Sequence, residues 1–139
     1  MNNIIRFGVS IDEKMLQHFD NLITEKGYVN RSEAIRDLIR EMLIKDEISD
    51  PEKEIMGILV LIYSHEVREL SDRLNDIQHN CYQNIVSTLH VHLDKHNCLE
   101  VLLIKGKAKI VKDIADHLIS VKNVRHGKLT ITTTGEHLS

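Results

Sequence analysis

Ile85-Val86-Ser87-Thr88-Leu89-His90-Val91-His92-Leu93, then Asp94-Lys95-His96-Asn97, then Cys98-Leu99-Glu100-Val101-Leu102-Leu103-Ile104: two apolar, β-branched runs flank four polar residues. The pattern predicts a strand over 85–93, a turn, and a return strand over 98–104. His90 and His92 are two apart, which on a strand puts both imidazoles on one face. Cys98 opens the return strand, so its sulfur can reach the same small volume. Imidazole with thiolate is the ligand set of a borderline or soft transition metal. His79 ends the preceding segment and faces elsewhere, so a fourth ligand could come from His79 of a second subunit. A metal shared in that way would lock an oligomer. The competing reading is a half-exposed strand face with Cys98 as a small buried hydrophobe. Glu100 is either an acceptor orienting an imidazole N–H or an ordinary exposed strand residue.

Outward from this hairpin, residues 55–63 form a continuous apolar run suited to a buried strand. Residues 66–78 carry Val67, Leu70, Leu74 and Ile77 at helical spacing, and 107–120 do the same with Ile110, Val111, Ile114, Leu118 and Ile119. Residues 124–132 close as a strand. The order βαββαβ predicts a ferredoxin-like antiparallel sheet with both helices on one face, within an α+β chain. Its open sheet face and edges favour association with other copies.

The N-terminal part is organised differently. Ile5, Phe7, Val9 and Ile11 alternate with Arg6, Gly8 and Ser10, a half-buried strand over 4–11. Ser10 and Glu13 are spaced as a capping box for a first helix, whose stripe is Met15, Leu16, Phe19, Leu22 and Ile23. Gly27 is placed to stop it. A second helix begins at Asn30-Arg31-Ser32-Glu33, with Ala34, Ile35, Leu38, Ile39, Met42 and Leu43 as its stripe. A strand and two helices this short cannot close a core alone, and a lone strand has two unpaired edges. Pairing with a second copy is the economical solution. The charged stretch 45–54 holds the only proline and reads as the linker, giving units 1–45 and 55–139 joined by 46–54.

The whole chain of 139 residues has a net charge of −3, which argues against non-specific attraction to nucleic acid. Residues 1–45 balance seven basic against seven acidic side chains, so any DNA contact must come from local geometry. No apolar run is long enough to cross a bilayer, the first residues lack a secretory pattern, and two cysteines give no disulfide framework. A cytoplasmic chain fits best. No nucleophile–base arrangement or glycine-rich phosphate loop suggests an enzyme.

Residues 5–37, with Gly27-Tyr28 and Asn30-Arg31-Ser32-Glu33-Ala34-Ile35-Arg36-Asp37, resemble the ribbon-helix-helix DNA-binding fold. In that fold paired strands enter the major groove. The resemblance makes Arg6, Gly8 and Ser10 the outward, base-facing set, with Gly8 carrying no side chain to read with. Asn30, Arg31 and Ser32 would clamp a phosphate at the helix N-terminus. Without DNA, the same segment is a small dimerisation element.

Combined with Gln78-His79, Leu89-His90-Val91-His92 and Asn97-Cys98-Leu99-Glu100, the chain resembles the NikR family of nickel-responsive transcription regulators from about Ile4 to Gly127. That resemblance implies an ACT-like C-terminal region and a homotetramer built as a dimer of dimers. It further implies one planar, high-affinity Ni(II) site per subunit, with His90, His92 and Cys98 from one subunit and His79 from its neighbour. A repressor of nickel-uptake genes that binds operator DNA when nickel is bound follows from the same resemblance. Glu33 and Asp37 would help hold a potassium ion; otherwise they are a solvated acidic face. Cys81 is a departure, either a spare soft ligand or a bystander. His65, His96, His117, His126 and His137 read as ordinary histidines, with His65 at a position near the core where a secondary metal role is conceivable. The alternative from another class is a metal-storage or metallochaperone oligomer whose ribbons only dimerise.

Overall fold

The computed structural model describes residues 3–136 and Leu138, and the chain falls into two compact units, Met1–Met42 and Leu43–Ser139. His137 lies outside the described residues.

In the first unit, helix α1 spans Glu13–Glu25, and helix α2 starts at Arg31 and runs on to Ser49. The N-cap of α1 is Asp12, whose carboxylate accepts from the Lys14 and Met15 amides. The Ser10–Glu13 capping box is therefore not formed; a carboxylate one residue before the helix satisfies its first amides more directly. At the other end Tyr28 N donates to the Ile23 carbonyl and Gly27 N to that of Thr24. This double closure needs a left-handed residue, and Gly27 supplies it at φ +87°. Asn30 Oδ1 accepts from Glu33 N at 2.9 Å and opens α2.

Among the described residues of this unit only Ile23 and Ala34 are buried. Residues 3–12 form no ladder within the chain, in contrast to the expected strand. The reason is that an isolated strand has no partner to bond. Phe7 and Val9 are 68% and 69% exposed, with Met15, Leu22, Leu38 and Met42 also open.

Helix α2 continues through Lys45-Asp46-Glu47, of which Lys45 and Glu47 favour helix, so the first part of the expected linker is helical. The second unit then follows as β1 (Glu54–Ser64), α3 (Arg68–Asn80), β2 (Ile85–His92), β3 (Asn97–Lys107), α4 (Ala108–Ile119) and β4 (Val124–Thr133). The sheet order is β2-β3-β1-β4, and every neighbouring pair is antiparallel. This is the expected βαββαβ arrangement. One face carries Ile55, Leu59, Leu61 and Tyr63 of β1 with Leu102 and Ile104 of β3, packed with Leu70, Leu74 and Ile77 of α3 and Val111, Ala115 and Leu118 of α4. Gly57 belongs to this face, where a Cβ would stand 2.6 Å from Val111 Cγ1. On the other face Ile58, Val60, Ile62, Leu99, Val101 and Leu103 are only half-buried.

Candidate metal centre

The register of β2 on β3 pairs His92 with Cys98 and His90 with Glu100. Directly opposed residues project to the same side of a sheet. Cys98 and Glu100 are inward residues at 3% and 1% exposure, so both histidines stand on the helix-bearing face, at its open margin. His92 Nδ1 lies 3.6 Å from Cys98 Sγ. Bonds of about 2.0–2.3 Å to a first-row ion put adjacent N and S ligands about 3.0–3.6 Å apart. The pair thus fits one soft divalent cation by spacing and by chemistry.

His90 takes a different partner. Its Nε2 is 3.2 Å from Glu100 Oε2. The same carboxyl accepts from the Tyr63 hydroxyl at 2.7 Å and from Gln78 Nε2 at 2.7 Å. A buried acceptor so supplied is well satisfied. Burial, then the bond to Glu100, pushes the Tyr63 phenol well above its ordinary range, keeping it a donor. Burial also raises the Cys98 thiol, with the Glu100 charge adding to it, so an arriving ion must displace a firmly held proton. The sequence alone does not name Tyr63 and Gln78 as donors to Glu100. The signal was in the alternation Cys98, Glu100, Leu102, Ile104, which turns Glu100 inward, where it needs donors.

His79 sits exposed in the last turn of α3. Among the described residues, no three or more His, Cys, Asp or Glu side chains converge closely enough to hold an ion within one chain. The structure therefore brings together His92 and Cys98, places His90 beside them on the strand face, and leaves His79 apart. Cys81 forms the C-cap of α3, its amide donating to the Ile77 and Gln78 carbonyls. His96 Nδ1 is 2.6 Å from Glu66 Oε1, and the His65 ring stands perpendicular to that of His92 with centroids 5.4 Å apart. His117 and His126 are exposed.

Arg6, Gly8 and Ser10 are exposed, and nothing lies within 4 Å of a Cβ built on Gly8. Ser32 is exposed at the start of α2, where Asn30 already serves as cap. Arg31 is engaged: Nε and Nη2 each donate to Asp20 at 2.8 Å. A phosphate would have to share or replace that carboxylate. Asp37 accepts from the Tyr28 hydroxyl and from Arg40, while Glu33, one turn earlier, is exposed. The Arg40 charge opposes a cation at Asp37.

The profile described as the NikR C terminal nickel binding domain matches residues 56–132, and that of the ribbon-helix-helix protein, copG family, matches residues 5–46. Proteins of Geobacter metallireducens and Geobacter sulfurreducens are 58% and 59% identical over 138 residues, covering 99% of both chains in each case. One from Thermococcus kodakarensis is 52% identical, covering 97% of this chain and 98% of its own. All three carry the name "Putative nickel-responsive regulator". An uncharacterized Thermotoga maritima protein, TM1266, shares the fold over 57% of this chain and 98% of its own, with a TM-score of 0.51 and 15% identity. Two matched domains and full-length relatives lead to one conclusion: this chain belongs to the NikR family of nickel-responsive regulators, a regulator family and not an enzyme family.

Proposed function

We propose that this protein is a nickel-dependent repressor of nickel-uptake genes, in which Ni(II) binding promotes operator binding in the cytoplasm. The observation that carries the reading is the His92–Cys98 contact at 3.6 Å on an open margin of the sheet. It offers a soft N,S pair with room for further donors. His90, His92 and Cys98 of one subunit with His79 of its neighbour would hold one Ni(II) per subunit. Bound nickel supplies a cross-link between segments, not a reactive centre. A site completed from another chain couples metal occupancy to assembly.

The assembly is a homotetramer made as a dimer of dimers. Exposed Ile5, Phe7, Val9 and Ile11 support pairing of two ribbons, since burying each such side chain contributes about 1.5–3 kcal/mol. The half-buried apolar face of the sheet supports the second contact. Once two ribbons pair, Arg6 and Ser10 face outward and can bond base edges, while Asn30, Arg31 and Ser32 meet phosphate. The potassium role of Glu33 and Asp37 requires Asp37 to release Arg40.

Operator titration with and without Ni(II), at fixed salt, tests the reading. Nickel should tighten operator binding, and DNA must tighten nickel binding by the same factor. Nickel uptake with no change in DNA affinity would favour a storage or metallochaperone oligomer instead. For the site, Cys98→Ser should abolish the thiolate-to-nickel charge-transfer absorption. An unchanged spectrum removes Cys98 from the ligand set.

A further inference from the structure

We propose that His65 is a positioning residue for nickel, holding the His92 ring where its Nδ1 meets Cys98; this rests on His92 and Cys98 as nickel ligands. His92 is the last residue of the edge strand β2, exposed, and tied by the ladder on one side only. The ladder places its backbone opposite Cys98, while the ring turns about its own side-chain torsions. The His65 ring stands at 90° to it, with centroids 5.4 Å apart, a favourable arrangement for two aromatic rings.

The backbone at His65 and the turn beside it are held from several directions. The His65 amide donates to the His96 carbonyl at 3.1 Å. Next to it, the Glu66 amide donates to Ser64 Oγ at 3.3 Å and the Glu66 carboxylate meets His96 Nδ1 at 2.6 Å. The turn carrying His96 is held in place by Asp94, whose Oδ1 accepts from the His96 and Asn97 amides at 2.7 and 2.8 Å. Arg125 adds a bond to Asn97 Oδ1 at 2.5 Å. The β1–α3 connection and the β2–β3 turn are thereby clasped together, and His65 is the part of the clasp that reaches the ligand. Groups that orient a metal-ligating imidazole commonly change metal affinity by about 10–100-fold when removed. A ring-edge contact at an exposed margin belongs at the lower end of that range.

The test compares wild type, His65→Ala and His65→Phe as full-length proteins. The measurements are nickel affinity by chelator competition, the charge-transfer band, and melting of the metal-free protein. His65→Ala should bind nickel about tenfold more weakly, with a broadened or shifted band and an unchanged metal-free melting curve. His65→Phe keeps a ring but no nitrogen, and should restore both affinity and band. Nickel affinity of His65→Ala equal to wild type would overturn the proposal. So would a His65→Phe variant as weak as His65→Ala, because the nitrogen atoms would then matter and His65 would be acting as a ligand. Loss of affinity in proportion to loss of metal-free stability would overturn it in favour of a general folding role. Wild-type protein that takes up no nickel would instead sink the nickel reading itself, so the two failures are separable in one experiment.

Discussion

Replacing Glu100 by alanine should unbalance the second unit even when no metal is present. The carboxyl is 1% exposed and is the acceptor for the Tyr63 hydroxyl and the Gln78 amide, both at 2.7 Å. A buried donor left without an acceptor costs about 1–3 kcal/mol. Tyr63 is itself buried and bears that cost, while Gln78 is half-buried and water can reach it, so its share falls at the low end. Glu100→Ala should therefore destabilise the metal-free protein by about 2–4 kcal/mol, lowering its melting temperature by about 10–25 °C for a unit of this size. Glu100→Gln keeps an acceptor oxygen for the Tyr63 hydroxyl, and its NH2 can meet the Gln78 amide turned to present its oxygen, so it should cost only about 1 kcal/mol. The assay is urea and thermal unfolding followed by circular dichroism. Protein concentration is held fixed, because an oligomer's stability depends on it. A double-mutant cycle with Tyr63→Phe should show coupling of about 1 kcal/mol or more. Strictly additive effects, or Glu100→Ala melting with wild type, would refute the idea that this carboxyl pins α3 and β1 together.

Phe7→Ala should weaken self-association of the N-terminal units by about 2–3 kcal/mol per chain, measured by sedimentation; unchanged association would place the ribbon contact elsewhere. Arg31 holds the Asp20 carboxyl below its usual range, chiefly through their hydrogen bonds. The stabilisation from that pair is present above the ordinary carboxylate value of about 4 and is lost as the pH falls through the lowered one. Asp20→Asn should abolish this part of the acid dependence of melting, and identical pH profiles would rule the pair out as a contributor. Gly57→Ala puts a methyl 2.6 Å from Val111 Cγ1, so α4 must move off the sheet. Unfolding measurements should find a loss of about 1–3 kcal/mol, with wild-type stability meaning that α4 yields freely.

Most of the second unit was legible because its two periods are clean. Apolar runs of strand length alternate with helical stripes, and the turn Asp94–Asn97 fixes the hairpin register that pairs His92 with Cys98. The helix ends were harder. Ser10 and Asp12 both precede α1, and only geometry shows that Asp12 takes the amides. The extension of α2 to Ser49 was hidden because charged residues suit a linker and a solvated helix equally well. The N-terminal strand was readable as an alternation, yet its ladder is not a property of one chain. At the candidate metal centre, residue types and spacing pointed to His92 and Cys98 as neighbours, and the structure places them 3.6 Å apart. The Glu100 acceptor network and the His65–His92 contact depend on pairing β3 with both β1 and β2. The alternation along β3 turns Glu100 inward, but partners more than twenty residues away leave no local pattern that names them.

The location of His90 and His92 on the outermost strand has a kinetic side. β2 is bonded to β3 alone, so it can peel away while β1, β3 and β4 keep their ladders. Such partial opening costs less than global unfolding, and amides of β2 should exchange with solvent sooner than those of β1. An ion held by His90 and His92, as proposed, would be released more readily when that strand frays. On that reading the lifetime of the bound state would follow the sheet's weakest hem, and edge substitutions far from any donor atom would lengthen or shorten it without altering what the ion touches.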